Sequence, residues 1–190
     1  FRSVNGLIWM GSKQDMYERI KQKTDRGFRC LKLKISAIGF DDELDLLRRI
    51  RKSFGPQDLE IRLDANGAFR ADEALQKIQA LSKFHIHSLE QPIKPGLTDQ
   101  MALLCEQSPV PVALDEELIG HFNTAQKEKL LDSINPSYII IKPTLLGGFK
   151  ASEAWISAAN RRNIGWWATS ALETNIGLNA IAQWTYTRKT

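Results

Sequence analysis

The sequence predicts an α/β protein built as a βα barrel, and three observations predict it. Short apolar strands alternate with helices, seven times over. Polar or charged residues, Lys34, Asp64, Glu90, Asp115, Lys142 and Ser170, stand at or just beyond the ends of six successive strands. Their separations are 30, 26, 25, 27 and 28 residues, close to the length of one strand–helix unit. Helical crossovers imply parallel strands, and parallel strands bring all their C-terminal ends to one face. A barrel gathers six such residues on one rim; the structural alternative, an open doubly wound sheet, spreads them along an edge.

Each element has a local reason. Gly6–Met10 is a short apolar strand, and Lys13–Gly27 a helix closed by its glycine. Cys30–Ile35 alternates strictly, so Lys32 and Lys34 share one face and Leu31 and Leu33 the other. A helix over Asp41–Phe54, capped by Asp41 or Asp42, ends at Gly55-Pro56. The strand Leu59–Asp64 runs into a break at Asn66-Gly67. Ala71–Phe84 carries Leu75, Ile78, Leu81 and Phe84 on one helical side. Ile86–Glu90 is a strand stopped by Pro92, Asp99–Gln107 a helix, and Val110–Leu114 a strand interrupted by Pro111. His121–Leu131 is a weakly patterned helix. Tyr138–Lys142 is a strand stopped by Pro143, Gly148–Arg162 a helix, Ile164–Ala168 a strand, and Asn175–Trp184 a final helix. The strands are apolar on both faces, as helices covering the outside require. A complete barrel has eight units and about 250 residues. The expectation for 190 residues is therefore a single domain over 1–190, a fragment or an incompletely closed barrel without its eighth strand. With a strand so soon after Phe1, the natural N-terminus is expected to lie upstream.

Composition bounds the function. Hydrophobic residues make up 43% and charged residues 25%, and 26 basic against 22 acidic side chains give a net charge of +4. That is globular and only mildly basic. The run Arg48-Arg49-Ile50-Arg51-Lys52 reads as a solvated helix face, so no nucleic-acid partner is expected. Cys30 and Cys105 read as buried thiols in apolar surroundings, with no disulfide or metal spacing. With no secretory signal and no long apolar run, the expectation is a cytoplasmic protein that neither enters nor binds a membrane.

The strand ends carry the chemistry. A buried carboxylate without a partner is costly, so Asp64 requires one. Asp64, Glu90 and Asp115, held together, repel unless protonated or bridged by a cation. Oxygen-only ligands favour a hard ion, Mg²⁺ or Mn²⁺, over zinc. The bland alternative is three unrelated acids bonding to loop amides. Lys32 and Lys34 point into a barrel only if acids or an anion lie nearby, and each favours the neutral form of the other, which suits a general base. The alternative there is a snorkelling pair on an exposed strand. Lys142 closes the order Lys, Asp, Glu, Asp, Lys, an arrangement suited to proton abstraction next to a carboxylate. Ser170, with Glu173 nearby, is either an anion contact or a plain helix cap. His85, His87 and His121 read as structural, and Trp166-Trp167 as packing.

These residues also carry a resemblance. Lys32-Leu33-Lys34, Leu63-Asp64-Ala65-Asn66, Leu89-Glu90-Gln91-Pro92, Leu114-Asp115-Glu116 and Ile141-Lys142-Pro143 resemble the muconate-lactonizing subgroup of the enolase superfamily. GLIWMG at Gly6–Gly11, EQPIKPG at Glu90–Gly96 and TSALETNIGLNAIAQW at Thr169–Trp184 are similar to the o-succinylbenzoate synthase family within it. The resemblance implies a (β/α)7β-type TIM barrel, here without its eighth strand and without the N-terminal capping domain. It implies Mg²⁺ on Asp64, Glu90 and Asp115, and a small-molecule carboxylate as substrate. Lys34 would remove the proton alpha to the ring carboxylate of 2-succinyl-6-hydroxy-2,4-cyclohexadiene-1-carboxylate and then protonate the departing hydroxyl. Lys142 would stabilise the enediolate as a cation, Lys32 would position substrate and tune Lys34, and Asn66 and Ser170 would contact substrate, Ser170 near the succinyl tail. Without the capping domain, the 190 residues alone are expected to turn over poorly, and exposed strand edges favour homo-oligomers. Two rivals stand beside this reading. One is a dipeptide epimerase or N-acylamino acid racemase of the same subgroup, using the lysines as a two-base pair. The other is a non-catalytic binding barrel.

Overall fold

The computed structural model describes residues 4–188. Among them seven strands alternate with seven helices, as the patterning predicts. By its packing the chain divides into two compact units, Phe1–Lys94 with Gln107–Val112, and Pro95–Glu106 with Ala113–Thr190.

The first unit holds β1 (Gly6–Ile8), β2 (Cys30–Lys34), β3 (Glu60–Asp64) and β4 (Ser88–Glu90) in that order, all parallel. The register decides what the site looks like. Lys32 pairs with Arg62 and Arg62 with Ser88; one step on, Lys34 pairs with Asp64 and Asp64 with Glu90. Three charged residues therefore occupy one rung, with neighbouring backbones about 4.8 Å apart. The opposite face, Leu31, Leu33, Ile61, Leu63 and Leu89, is buried. The helices of this unit, α1 (Lys13–Asp25), α2 (Phe40–Ser53) and α3 (Ala71–Ser82), bury Met16, Ile20, Leu46, Leu47, Ile50, Ile78 and Leu81. The turn after β3 is as the sequence requires. Asn66 and Gly67 both take positive φ, 45° and 73°, and a Cβ on Gly67 would meet the Ile93 carbonyl oxygen at 3.2 Å.

The second unit holds α4 (Thr98–Gln107, whose last residue falls in the first unit), most of β5 (Val112–Leu114), a single 3₁₀ turn (Glu116–Leu118), α5 (Thr124–Ile134), β6 (Tyr138–Ile141), α6 (Phe149–Asn160), β7 (Gly165–Ala168) and α7 (Asn175–Tyr186). Strand β6 pairs in parallel with both β5 and β7. Among the described residues no helix is long and apolar enough to cross a membrane.

Several boundaries differ from the sequence expectation, each for a local reason. Helix α5 starts at Thr124 rather than His121, because Asn123 and Gln126 form a reciprocal capping box and Gly120 turns the chain at φ 89°. It ends three residues later than expected, where Asn135 adopts a left-handed cap before Pro136. Helix α2 is not capped by Asp41 or Asp42. It begins at Phe40 on Gly39, and the acids fill its first turn, where the helix dipole favours them. Strand β5 omits Val110 and Pro111, although the Pro111 carbonyl still accepts from Leu89 N at 2.9 Å. Strand β4 starts only at Ser88, since His85 turns at φ 50°.

Two surface readings are also corrected. Arg51 is half-buried rather than fully solvated: its guanidinium donates to the carbonyls of Phe84 and Leu59 at 2.7 Å and of His85 at 3.0 Å. Cys30 and Cys105 are free but only part-buried, and the Cys30 thiol donates to Glu60 Oε1 at 3.3 Å instead of sitting among apolar groups.

Glu43, in the first turn of α2, faces inward and is buried. Its carboxyl accepts from Ser36 N, which sits at φ 73° just beyond β2. Burial pushes its pKa up to about 7, against the pull of that hydrogen bond and of Lys77. The folded state thus holds the proton more tightly than the unfolded chain. Folding loses stability as pH rises from the ordinary 4.5 through 7. Glu43→Gln keeps a carbonyl for Ser36 N and has no charge to bury. It is expected to raise stability at pH 8 by up to about 3 kcal/mol, with the gain vanishing by about pH 4. Urea unfolding of both proteins across that range measures the difference; a gain that is constant with pH contradicts the assignment.

Candidate active site

In the first unit the strand ends build a buried ionic cluster. Lys32 Nζ lies 2.6 Å from Glu90 Oε1 and 2.9 Å from Asp64 Oδ2. Lys34 Nζ lies 2.5 Å from Asp64 Oδ2 and 2.8 Å from Asn66 Oδ1. The other Asp64 oxygen accepts from Asn66 N at 3.0 Å. Asp64 is fully buried and the two lysines are 5% and 8% exposed, which rules out a snorkelling pair. The partners that Asp64 needs are these lysines. Burial favours its protonated form, yet the charge of Lys32, a hydrogen bond with Glu90 and the charge of Lys34 together outweigh it and hold the carboxyl well below the usual carboxylate range. Burial likewise opposes the charge on Lys32, but Glu90 and Asp64 prevail and its pKa is raised to about 12. Lys32 is therefore a fixed cation.

In the second unit the ends of β5 and β6 form one ion pair, and the end of β7 a hydrogen bond to a carboxylate. Asp115, at the exit of β5, is buried and forms an ion pair with Lys142, just beyond β6. Ser170, beyond β7, donates to Glu173 Oε2 at 2.8 Å. It is not a helix cap: α7 is capped by Thr174, whose side chain accepts from Gly177 N.

Asp64 and Glu90 in the first unit and Asp115 in the second are all buried acids, and together they are a candidate ligand set for a metal ion. The donor set is oxygen alone, which suits a hard divalent cation. Each of these acids also meets a lysine: Asp64 meets Lys32 and Lys34, Glu90 meets Lys32, and Asp115 meets Lys142.

Two residues escaped the sequence reading. Trp9, just past β1 and 43% exposed, presents its ring 5.7 Å from Lys34 Nζ. Within the apolar run Gly6–Met10 its indole looks like any strand residue, and only the end of β1 at Ile8 sets it apart. Glu173 was noticed only as a neighbour of Ser170, whereas it organises the loop. The histidines stay out of the site: His87 Nδ1 meets Ser88 Oγ at 3.0 Å, and His121 packs edge-on to Trp155.

Comparison with known proteins places this geometry. The o-succinylbenzoate synthase of Desulfotalea psychrophila is 57% identical over 182 residues, covering 96% of this chain and 49% of that protein. The crystal structure of MenC from Desulfotalea psychrophila LSv54 superposes with a TM-score of 0.90 and 54% identity, over 99% of this chain and 52% of its own. A dipeptide epimerase from Enterococcus faecalis V583 superposes with a TM-score of 0.87 at 25% identity, over 98% and 54%. The chain thus spans about half the length of these relatives. Its seven strand–helix units carry the barrel-type fold of these proteins. The model of the enolase C-terminal domain-like family matches residues 15–188, and the chain belongs to that family.

Proposed function

We propose that the protein carries out the Mg²⁺-dependent dehydration of 2-succinyl-6-hydroxy-2,4-cyclohexadiene-1-carboxylate to o-succinylbenzoate, a step of menaquinone biosynthesis. The observation that carries this reading is the 57% identity to the Desulfotalea psychrophila o-succinylbenzoate synthase along 96% of the chain, with the charged strand ends in place. In this proposal residues 1–190 are one catalytic barrel domain of a cytoplasmic enzyme. Its partners are a small-molecule carboxylate and further copies of itself, with neither nucleic acid nor membrane.

Asp64, Glu90 and Asp115 would hold the cation, Mg²⁺ with Mn²⁺ as a substitute. When bound it supplies positive charge that lowers the cost of negative charge developing on a substrate carboxylate. The chain's own residues do the rest. Lys34, the less buried of the paired lysines, takes the proton alpha to the ring carboxylate and, now an ammonium, returns it to the departing hydroxyl on the same face. Lys142 is a cation facing the charge that develops. Lys32 stays an ammonium between Glu90 and Asp64 and positions both them and the substrate. Asn66 orients Lys34 through its 2.8 Å contact, and Ser170 lies toward the succinyl tail.

A second reading, dipeptide epimerisation by Lys34 and Lys142 as a two-base pair, is favoured by the fold shared with the Enterococcus faecalis epimerase, though at 25% identity. One experiment separates the two. The full-length protein with Mg²⁺ is incubated in deuterated buffer with the cyclohexadiene substrate and, separately, with dipeptides. Loss of the hydroxyl to give the aromatic product supports dehydration. Deuterium incorporation alpha to a dipeptide carboxylate, with no dehydration, overturns it.

A further inference from the structure

The loop after β7 is held by a carboxylate of its own. Glu173 Oε2 accepts from Ser170 Oγ and from Ala171 N, each at 2.8 Å, and Oε1 accepts from Thr144 Oγ1 at 2.5 Å. Thr144 lies two residues beyond Lys142, in a turn closed by Leu145 N and Leu146 N on the Lys142 carbonyl at 2.9 and 3.1 Å. One side chain thus joins the loop that carries Ser170 to the turn that follows Lys142. Gly177 makes room for it: a Cβ there would meet Glu173 Cβ at 3.0 Å. The hydroxyl of Ser170 is committed in both directions, because it also accepts from Leu172 N at 2.9 Å. The strain of the arrangement falls on Leu172. Leu172 sits at φ 65°, a region a branched side chain avoids, and its side chain stands exposed. Although burial favours the acid form, the bonds from Thr144 and Ser170 lower the Glu173 pKa.

We infer that Glu173 is a positioning residue, a clamp that fixes Ser170 and Leu172 where the substrate's succinyl tail is to be held. The inference rests on the function proposed above for where the tail lies, but the clamp itself does not. A carboxylate that positions a binding loop contributes alike to ground and transition states, so its loss shows in KM rather than kcat.

The test uses the full-length, Mg²⁺-loaded protein with two readouts, steady-state dehydration and hydrogen exchange of residues 169–174 without substrate. Glu173→Ala is expected to raise KM about tenfold with kcat within about threefold, and to speed exchange at Ala171 and Leu172. Glu173→Gln, which accepts through its carbonyl and offers its amide to the Thr144 hydroxyl, is expected to restore most of both. Gly177→Ala, which leaves the carboxylate but crowds its stem, is expected to shift both in the same direction as Glu173→Ala by a smaller factor. Exchange at Ala171 and Leu172 unchanged in Glu173→Ala overturns the clamp, whatever the activity. Faster exchange with KM unaltered, or a fall in kcat alone, overturns the positioning role. Absence of dehydration in the unmutated protein instead removes the proposed function, while the exchange readout still decides the clamp.

Discussion

Lys34→Ala in the full-length protein is expected to abolish dehydration, a loss of at least about 10³-fold in kcat, because under the proposed function Lys34 both takes and returns the proton. The structure makes this a clean experiment. Without Lys34, Asp64 still has Lys32 at 2.9 Å and Asn66 N at 3.0 Å, so no buried charge is stranded. The fold and the carboxylates are expected to survive, and with them a metal affinity within severalfold of the unmutated protein. Single-turnover kinetics with the cyclohexadiene substrate, beside metal titration of the same sample, measures both. Substantial residual dehydration in a folded, metal-loaded Lys34→Ala protein excludes Lys34 as the base.

Asp64→Ala has the opposite character: its largest effect is on stability. Asp64 is fully buried and is the acid that both Lys32 and Lys34 share. Removing it leaves two nearly buried ammonium groups with one carboxylate, Glu90, on Lys32, and an amide oxygen, Asn66 Oδ1, on Lys34. Stranding a buried charge in this way costs about 3–5 kcal/mol. Asp64→Asn retains an acceptor for Asn66 N and is expected to lose less. Because the lysines hold the Asp64 carboxyl well below its ordinary range, its contribution is present above that ordinary value and persists into acid, falling away only as pH drops through the depressed value. Urea denaturation at neutral pH, without added metal, gives the comparison; a loss below about 1 kcal/mol for Asp64→Ala means that the cluster is solvated rather than buried.

Much of this was readable before any coordinates, for identifiable reasons. Lys32-Leu33-Lys34 alternates within an otherwise apolar strand, and period-two alternation leaves a buried lysine no choice of face. The spacing from Lys34 to Asp64 to Glu90 approximates one strand–helix unit, and the observed register puts those three on a single rung. What escaped was long-range or lay outside the strands. Which lysine meets which carboxylate depends on register and side-chain reach, so the pairing of Lys32 with both Glu90 and Asp64 has no sequence signature. Glu43 looks like any first-turn acid, and only packing shows that it is buried. Arg51 sits in a basic run and was read with it, but one helical position turns it from solvent to the carbonyls of Phe84, His85 and Leu59. The start of helix α5 is set by the Asn123–Gln126 capping box, which the weak apolar periodicity from His121 onward does not reveal. The work of Glu173 depends on Thr144, 29 residues away in sequence.

The proposed function depends on Asp64, Glu90 and Asp115 acting as ligands of one divalent cation. Calorimetric titration of the full-length protein with Mg²⁺ tests it most directly, using the unmutated protein, Glu90→Gln and Asp115→Asn, each checked for folding by circular dichroism. The expected result is one binding site per chain, weakened at least about tenfold by either substitution. Folded variants that bind Mg²⁺ as tightly as the unmutated protein would contradict it.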